Sequence, residues 1–239
     1  MRQLRLSVAM CVAAVALSAN AQAADLDFPQ LPPLPSIGSE SNADGFAHGW
    51  YLRGDVGYRF NRVGSVSASA AADPAQNQVD RSWAIGLGLG YKKGWFRTDV
   101  TLDFGTPARY TGGSAAVPTT YTVRVASLTG LFNAYADLGT WSGITPYLGA
   151  GAGGSLLRTL DFATTTAVPP ISSGVGTSWQ FSWALMAGIS YGVGRMAFDL
   201  GYRRLNLGTA RTTIDAAGNQ LDLRNLVADE IRLGMRLAL

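Results

Sequence analysis

The residues of this sequence best suited to chemistry are a single histidine and a pair of acids. His48 is the one histidine of the chain, and no serine, cysteine or second histidine lies beside it. A metal site or a histidine-dependent catalytic triad needs such partners. Asp99 and Asp103 fall on the same face of a predicted strand and could do acid–base catalysis, but ion pairing with neighbouring arginines is the favoured interpretation. Neither feature predicts an active site.

A glycine-rich segment at residues 149–154 reads GAGAGG, which matches the GxGxxG spacing of dinucleotide-binding loops. A loop of that kind follows an apolar parallel strand and opens a helix, and the sequence predicts neither around this segment. Close packing of the backbone within a strand explains the glycines better. We therefore expect no catalytic residue, no cofactor and no metal site, and the chain is not predicted to be an enzyme.

The N-terminal region predicts export. Two arginines precede an apolar run that ends in the small residues Ala21 and Ala23. This is the pattern of a secretory signal peptide over residues 1–23, cleaved near Ala23. The one cysteine, Cys11, lies inside this peptide. The mature chain is therefore expected to contain no thiol, no disulfide and no lipid anchor.

Residues 24–48 are rich in proline, which lacks an amide donor, so we expect an extended periplasmic linker there. From residue 24 onward the chain has 17 basic and 16 acidic side chains. Because no basic block with interleaved aromatic residues is present, nucleic-acid binding is not expected. Apolar runs long enough for a transmembrane helix are absent beyond the signal peptide.

From residue 49 to the end, apolar and polar residues alternate in eight short segments. In the first, Leu52 and Val56 fall on one face, whereas Arg53 and Asp55 fall on the other. Each segment has about the 9–11 residues that a tilted strand needs to cross a bilayer. The segments lie at about 50–60, 81–92, 95–104, 145–157, 178–191, 195–205 and 225–239, with the fourth somewhere within 119–137. The sequence predicts an all-β fold over 49–239, a closed eight-stranded antiparallel up-and-down transmembrane β-barrel.

The connectors are long after the odd-numbered segments and short after the even-numbered ones, which is typical of barrels with long outer loops and short periplasmic turns. Aromatic residues at the segment ends predict two interfacial girdles. The periplasmic girdle would contain Trp50, Tyr91, Tyr135, Trp141, Tyr147 and Tyr191, and the outer girdle Phe60, Trp83, Phe104, Tyr121, Trp179, Phe181 and Tyr202. In the fourth segment Val123 and Val125 interrupt the alternation and predict a bulge.

The charged face of the barrel must be the inner one. An eight-stranded barrel has an interior that side chains can just fill, and an apolar belt of this width is not tolerated in water. Gly86, Gly88 and Gly90 would make room for long arginine side chains. The predicted lumen charge network consists of Arg53, Asp55, Arg59, Arg97, Asp99, Asp103, Asp199, Arg203, Glu230, Arg232 and Arg236, with Lys92, Arg124 and Asp137 on the same face.

Four segments carry a resemblance to a known family. They are residues 49–58 (GWYLRGDVGY), 133–139 (NAYADLG), 145–151 (TPYLGAG) and 199–203 (DLGYR). In this order they resemble motifs of the small OmpA-like eight-stranded outer-membrane barrels, and within these the alphaproteobacterial branch of 25- and 31-kilodalton major outer-membrane proteins. The resemblance covers residues 49–239.

The resemblance implies a location in the outer membrane, among outer-membrane lipid and lipopolysaccharide, after assembly by the barrel-insertion machinery. It also implies mobile outer loops and a contribution to envelope integrity and surface contacts. Family members commonly end on an aromatic residue, whereas this chain ends on Leu239. Recognition by the insertion machinery is then expected to depend on the alternation and on Leu239 as a substitute.

Two functional hypotheses follow from the sequence. The first is a structural barrel whose outer loops, near 61–80, 105–118, 158–177 and 207–223, contact surface ligands. The second is a narrow porin-like channel for ions or small solutes, against which a lumen packed with opposed charges argues. A membrane-embedded lipid-modifying enzyme is disfavoured because the predicted barrel strands contain no histidine.

Overall fold

The fold is an antiparallel barrel, seen in a computed structural model. The described residues are 48–68, 76–114, 119–164, 171–173, 176–212 and 221–239. The predicted signal peptide, and the linker up to residue 47, lie outside them. No helix in the described ranges could span a membrane.

Eleven strands are present in the described part of the chain. They are β1 (His48–Arg62), β2 (Ser65–Ala68), β3 (Gln76–Val79), β4 (Ser82–Lys93), β5 (Phe96–Ser114), β6 (Thr119–Asp137), β7 (Ile144–Thr164), β8 (Ile171–Ser173), β9 (Gly176–Val193), β10 (Met196–Arg211) and β11 (Leu221–Ala238). The eight long strands pair antiparallel in the order β1-β4-β5-β6-β7-β9-β10-β11, and β11 pairs with β1. This closes the barrel in the predicted up-and-down order.

Short turns and longer connections alternate around the barrel, as predicted. At one end, Gly94 and Gly194 begin two-residue turns with φ of 61° and 59°, a left-handed conformation that glycine adopts without steric cost. We call this the short-turn end, and the opposite end the outer end. The short strands β2, β3 and β8 pair with β11, β5 and β7 at the outer end.

The strands are longer at the outer end than the sequence predicted. Residues 105–114 continue β5 and pair with β6, and residues 158–164 continue β7, although both segments were expected to be loop. Their alanines and glycines have low strand propensity, but the ladder hydrogen bonds and inward apolar side chains hold these segments in the sheet. Of the predicted loop 105–118, only 115–118 lies outside β5 and β6.

The predicted bulge in the fourth segment is in fact carried by the neighbouring strands. Register shifts occur between Gly105 and Ala108 and opposite Thr122–Arg124, and in both the extra residue belongs to β5 or β7. β6 keeps its alternation, with Val123 facing inward. Val123 is apolar on an inner face because the lumen at that level is apolar.

The outer wall of the barrel is an apolar belt. Leu87 and Leu233 are 69% and 64% exposed, whereas Arg97 and Arg232 are buried inside. Such a belt is stable in hydrocarbon and not in water, and closure satisfies the strand edges, as hydrocarbon requires. The predicted fold class is confirmed: the chain forms a closed eight-stranded transmembrane β-barrel.

Candidate functional site

A connected row of ion pairs fills the middle of the lumen. It contains eight side chains of alternating charge, in the order Arg59, Glu230, Arg203, Asp103, Arg232, Asp55, Arg53 and Asp99. Each link joins a guanidinium nitrogen to a carboxylate oxygen at 2.6–3.4 Å. With four arginines and four acids the row has no net charge, so neighbouring ions offset part of the desolvation cost of each one. We call this set the central ion-pair row.

Glu230 is the most heavily shared acid of the central ion-pair row. Its carboxylate accepts hydrogen bonds from Arg59 Nε at 2.6 Å, Arg203 Nε at 2.7 Å and Arg232 Nη1 at 3.1 Å. These three arginines project from β1, β10 and β11, and Glu230 is fully buried. The carboxylate therefore joins neighbouring barrel strands through charge-assisted hydrogen bonds.

A second cluster lies toward the short-turn end. Asp137 contacts Lys92 Nζ at 3.0 Å and Arg97 Nε at 2.9 Å. The Arg97 guanidinium carbon lies 4.8 Å from the ring centres of both Tyr135 and Tyr147, in cation–π geometry. The prediction that these two tyrosines belong to the periplasmic girdle is therefore wrong, because their rings pack against buried charge inside the barrel.

Arg236 and Asp199 form a bidentate pair in the same half of the lumen. Arg236 Nε and Nη2 donate to the Asp199 carboxylate at 2.8 and 3.0 Å, and Nη2 also donates to Ser190 at 2.6 Å. The structure thus places all eleven residues of the predicted charge network inside the barrel. Arg124 is different: it faces outward and pairs with Asp161, so its predicted place on the inner face is wrong. On the outer part of β6, the outward face is charged and the inward face is apolar, which is the reverse of the arrangement in the rest of the strand.

Glycines make room for this packing at two clear places. A Cβ atom on Gly86 would contact Asp103 Oδ1 and lie 2.9 Å from Arg232 Nη2. A Cβ on Gly90 would run into the ring of Tyr51, whose hydroxyl donates to Asp99 at 3.1 Å. A larger residue would displace Asp103 and Arg232 of the charge network at Gly86, and the ring of Tyr51 at Gly90. The space at Gly90 is thus taken by a tyrosine and not by an arginine as predicted.

The outer part of the lumen is filled by an apolar plug that the sequence analysis missed. Tyr121 and Phe162 stack within it, with ring centres 6.4 Å apart, and the outer-girdle prediction for Tyr121 is wrong. The plug consists of Val66, Tyr110, Tyr121, Val123, Leu157, Phe162, Leu205, Leu207, Leu221, Leu223 and Leu226. The run of Tyr121, Val123 and Val125 at every second position was the available signal.

Little space is left between these layers. Two cavities in the described lumen measure about 30 and 10 Å³. A water molecule needs about 10–15 Å³ of such space, so the larger cavity has room for about two waters and the smaller for at most one. They border Arg59 and Arg232, on either side of the central ion-pair row.

The other chemical candidates of the sequence lie in different settings. His48 is exposed at the start of β1, whereas Asp99 pairs with Arg53, and Asp103 with Arg203 and Arg232, in the central ion-pair row. In the 149–154 segment, which lies within β7, a Cβ on Gly151 would contact Asn133. The described residues contain no group of acids, histidines or cysteines able to hold a metal ion.

Comparisons with known proteins identify relatives that are similar in sequence and solved structures that are similar in fold. No known family profile matches the chain. Uncharacterized proteins of Brucella suis, Brucella melitensis and Brucella abortus are each 31% identical over 244 residues, which is 86% of this chain and 82% of the relative. Among solved structures, Neisserial surface protein A is 19% identical, with 80% of this chain and 97% of that one covered and a TM-score of 0.43. Ail, the attachment invasion locus protein of Yersinia pestis, is 12% identical with 79% and 99% covered and a TM-score of 0.37.

Proposed function

The chain belongs to the same family as these uncharacterized Brucella proteins, and we propose that it is a structural outer-membrane barrel that supports envelope integrity and contacts surface ligands through its outer loops. The observation that carries this proposal is the doubly filled lumen. The central ion-pair row and the apolar plug leave two small cavities, one with room for about two waters and one for at most one. A barrel filled in this way suits a rigid membrane scaffold better than a conducting channel or an enzyme with a substrate cavity in its lumen.

The location in the outer membrane is supported by the wall and by the leader. Aromatic side chains at both ends of the apolar belt, such as Trp50 and Tyr91 at one end and Trp83 and Trp179 at the other, point outward, as interfacial girdles do. The predicted signal peptide would deliver the chain to the periplasm. Insertion would then proceed through the barrel-insertion machinery, for which the outward residues of β11 are the proposed signal.

Surface contacts are supported by the outer ends of the strands. β5, β6 and β7 continue past the apolar belt, so their outer ends would extend above the membrane surface. Loops raised on a rigid scaffold are common sites of recognition. The ligands are expected to be molecules outside the cell.

The structural role predicts a specific pattern of envelope defects. A strain that lacks the protein should become more sensitive to dodecyl sulfate and vancomycin. The full chain and a variant shortened within 165–170 and 213–220 should both restore resistance, because the barrel wall is unchanged, whereas only the full chain should restore attachment of the bacteria to glass. Normal resistance of the deletion strain would contradict the structural role, and equal attachment with both chains would contradict the role of the loops.

The filled lumen also predicts that the barrel does not conduct. In planar-bilayer recordings we expect no steady ion current from the wild-type protein, because the central ion-pair row and the apolar plug fill the described lumen. The variant R53A/D99A should also be silent, since the apolar plug remains. A wild-type current that changes in R53A/D99A would favour the alternative, a narrow channel.

A further inference from the structure

Eight arginines point outward at the outer end of the barrel. All are exposed in the described structure: Arg62, Arg81, Arg109, Arg124, Arg158, Arg204, Arg211 and Arg224. We call this set the arginine collar. The filled lumen does not involve these side chains, because they lie on the outside of the wall.

The arginine collar lies directly above the apolar belt. On β7, for example, the outward series runs through Leu148, Ala152 and Leu156 and then reaches Arg158. The same order holds on six of the eight long strands, counting Arg81 immediately before β4. The first charged outward residue past the belt on these strands is Arg62, Arg81, Arg109, Arg124, Arg158 or Arg204. In the proposed outer-membrane location, this level corresponds to the lipid headgroups.

Within the collar, like charges face each other. Arg109 and Arg124 are direct partners across β5 and β6, and Arg158 on β7 lies diagonally from Arg124. Like charges placed opposite each other on a sheet destabilise it. Among the described residues, carboxylates reach ion-pair distance only for Arg62, Arg124 and Arg211. Anions from outside the chain would relieve this repulsion.

The opposite end of the barrel has no such collar. The outward cations at the short-turn end of the described structure are Lys93 and Arg195, and Arg195 donates to the carbonyl oxygen of Ala238 at 2.8 Å. More outward positive charge therefore lies at the outer end of the barrel than at the short-turn end. This asymmetry fits a membrane that has more anionic headgroups on the side of the outer end than on the other side.

We propose that the arginine collar binds the phosphate groups of lipopolysaccharide, whose acyl chains then lie on the apolar belt below. The proposal rests on the proposed location in the outer membrane and names the lipid that the wall contacts there. Guanidinium groups match phosphate oxygens in bidentate geometry. Arg109, Arg124 and Arg158 lie on three adjacent strands, which span about 10 Å. A headgroup with several phosphates and many acyl chains covers such a span better than a single-phosphate lipid.

The test compares two variants of the folded full-length protein in detergent that lose the same amount of charge. R109Q/R158Q removes two collar arginines that have no ion pair in the described structure, and K93Q/R195Q removes the two cations at the other end. The probes are bisphosphorylated lipid A, phosphatidylglycerol and inorganic phosphate, with binding followed by native mass spectrometry. Since a basic residue near an anionic surface contributes about 1 kcal/mol, lipid A should bind R109Q/R158Q about thirtyfold more weakly, with less than a twofold change for K93Q/R195Q.

The probes separate the sources of phosphate. Weaker binding of phosphatidylglycerol and of inorganic phosphate than of lipid A is the expected order. Equal affinity of both variants for lipid A would overturn the proposal, and so would binding of phosphatidylglycerol as tight as that of lipid A. Folding is checked by the heat-dependent gel mobility of the barrel, and R158Q alone replaces the double variant if the latter does not fold. Lipid A binding is measured independently of the envelope phenotype, so either proposal can fail while the other stands.

Discussion

Replacement of Glu230 by glutamine should lower the free energy of unfolding of the barrel by about 3–5 kcal/mol. Glu230 is fully buried and is shared by Arg59, Arg203 and Arg232. Glutamine keeps the size of the side chain but removes its charge, so three buried guanidinium groups lose a common counter-ion. The measurement is urea unfolding of the barrel in lipid vesicles, followed by tryptophan fluorescence.

The control is the same acid-to-amide change at an exposed ion pair. Asp161 pairs with Arg124 on the outside of the barrel, and both side chains are largely exposed. Exposed pairs contribute about 0–1 kcal/mol, so D161N should change the unfolding free energy by no more than that. A loss below about 1 kcal/mol for E230Q, similar to that of D161N, would mean that the central ion-pair row does not stabilise the barrel.

The sequence was sufficient to predict the barrel because its two solvents select opposite residue types. Leu87 and Leu233 would be costly inside a lumen lined with ions, and Arg97 and Arg232 would be costly in hydrocarbon. Alternation with a period of two therefore assigns the faces of the strands without any other information. The connector lengths then fix the order of the strands, and the structure confirms this order.

The outer ends of the strands were not predictable by the same rule. There the polarity of the two faces is reversed: Tyr110 and Val123 face inward, whereas Arg109 and Arg124 face outward. The alternation with a period of two continues there. It looks interrupted only if the outer face is assumed to be apolar along the whole strand. Low strand propensity of Ala and Gly added to the error, so segments of β5 and β7 were taken for loop.

Tyrosines were the other source of error. A tyrosine carries an apolar ring and a polar hydroxyl, so it fits an interfacial girdle and a charged lumen equally well. Tyr135 and Tyr147 lie inside because Arg97 stacks on their rings, and the Tyr135 hydroxyl accepts a hydrogen bond from Arg53 at 2.6 Å. These partners come from other strands, and their positions depend on the barrel register.

The central claim is that the outer wall faces lipid, and a charged residue placed on it gives the most direct test. Leu87 lies midway between Trp83 and Tyr91 on β4 and is 69% exposed. Arginine at the middle of a bilayer destabilises a barrel by about 2–4 kcal/mol, against about 0–1 kcal/mol near an interface. The matched control is W179R, at the outer edge of the belt and 72% exposed.

The measurement is the free energy of unfolding of L87R and W179R in lipid vesicles, relative to the wild-type protein. A lipid-facing wall predicts a loss of about 2–4 kcal/mol for L87R and at most about 1 kcal/mol for W179R. Exposed leucine in water tolerates arginine with almost no change in stability. An L87R barrel as stable as the wild-type protein would therefore contradict the placement of this wall in a membrane.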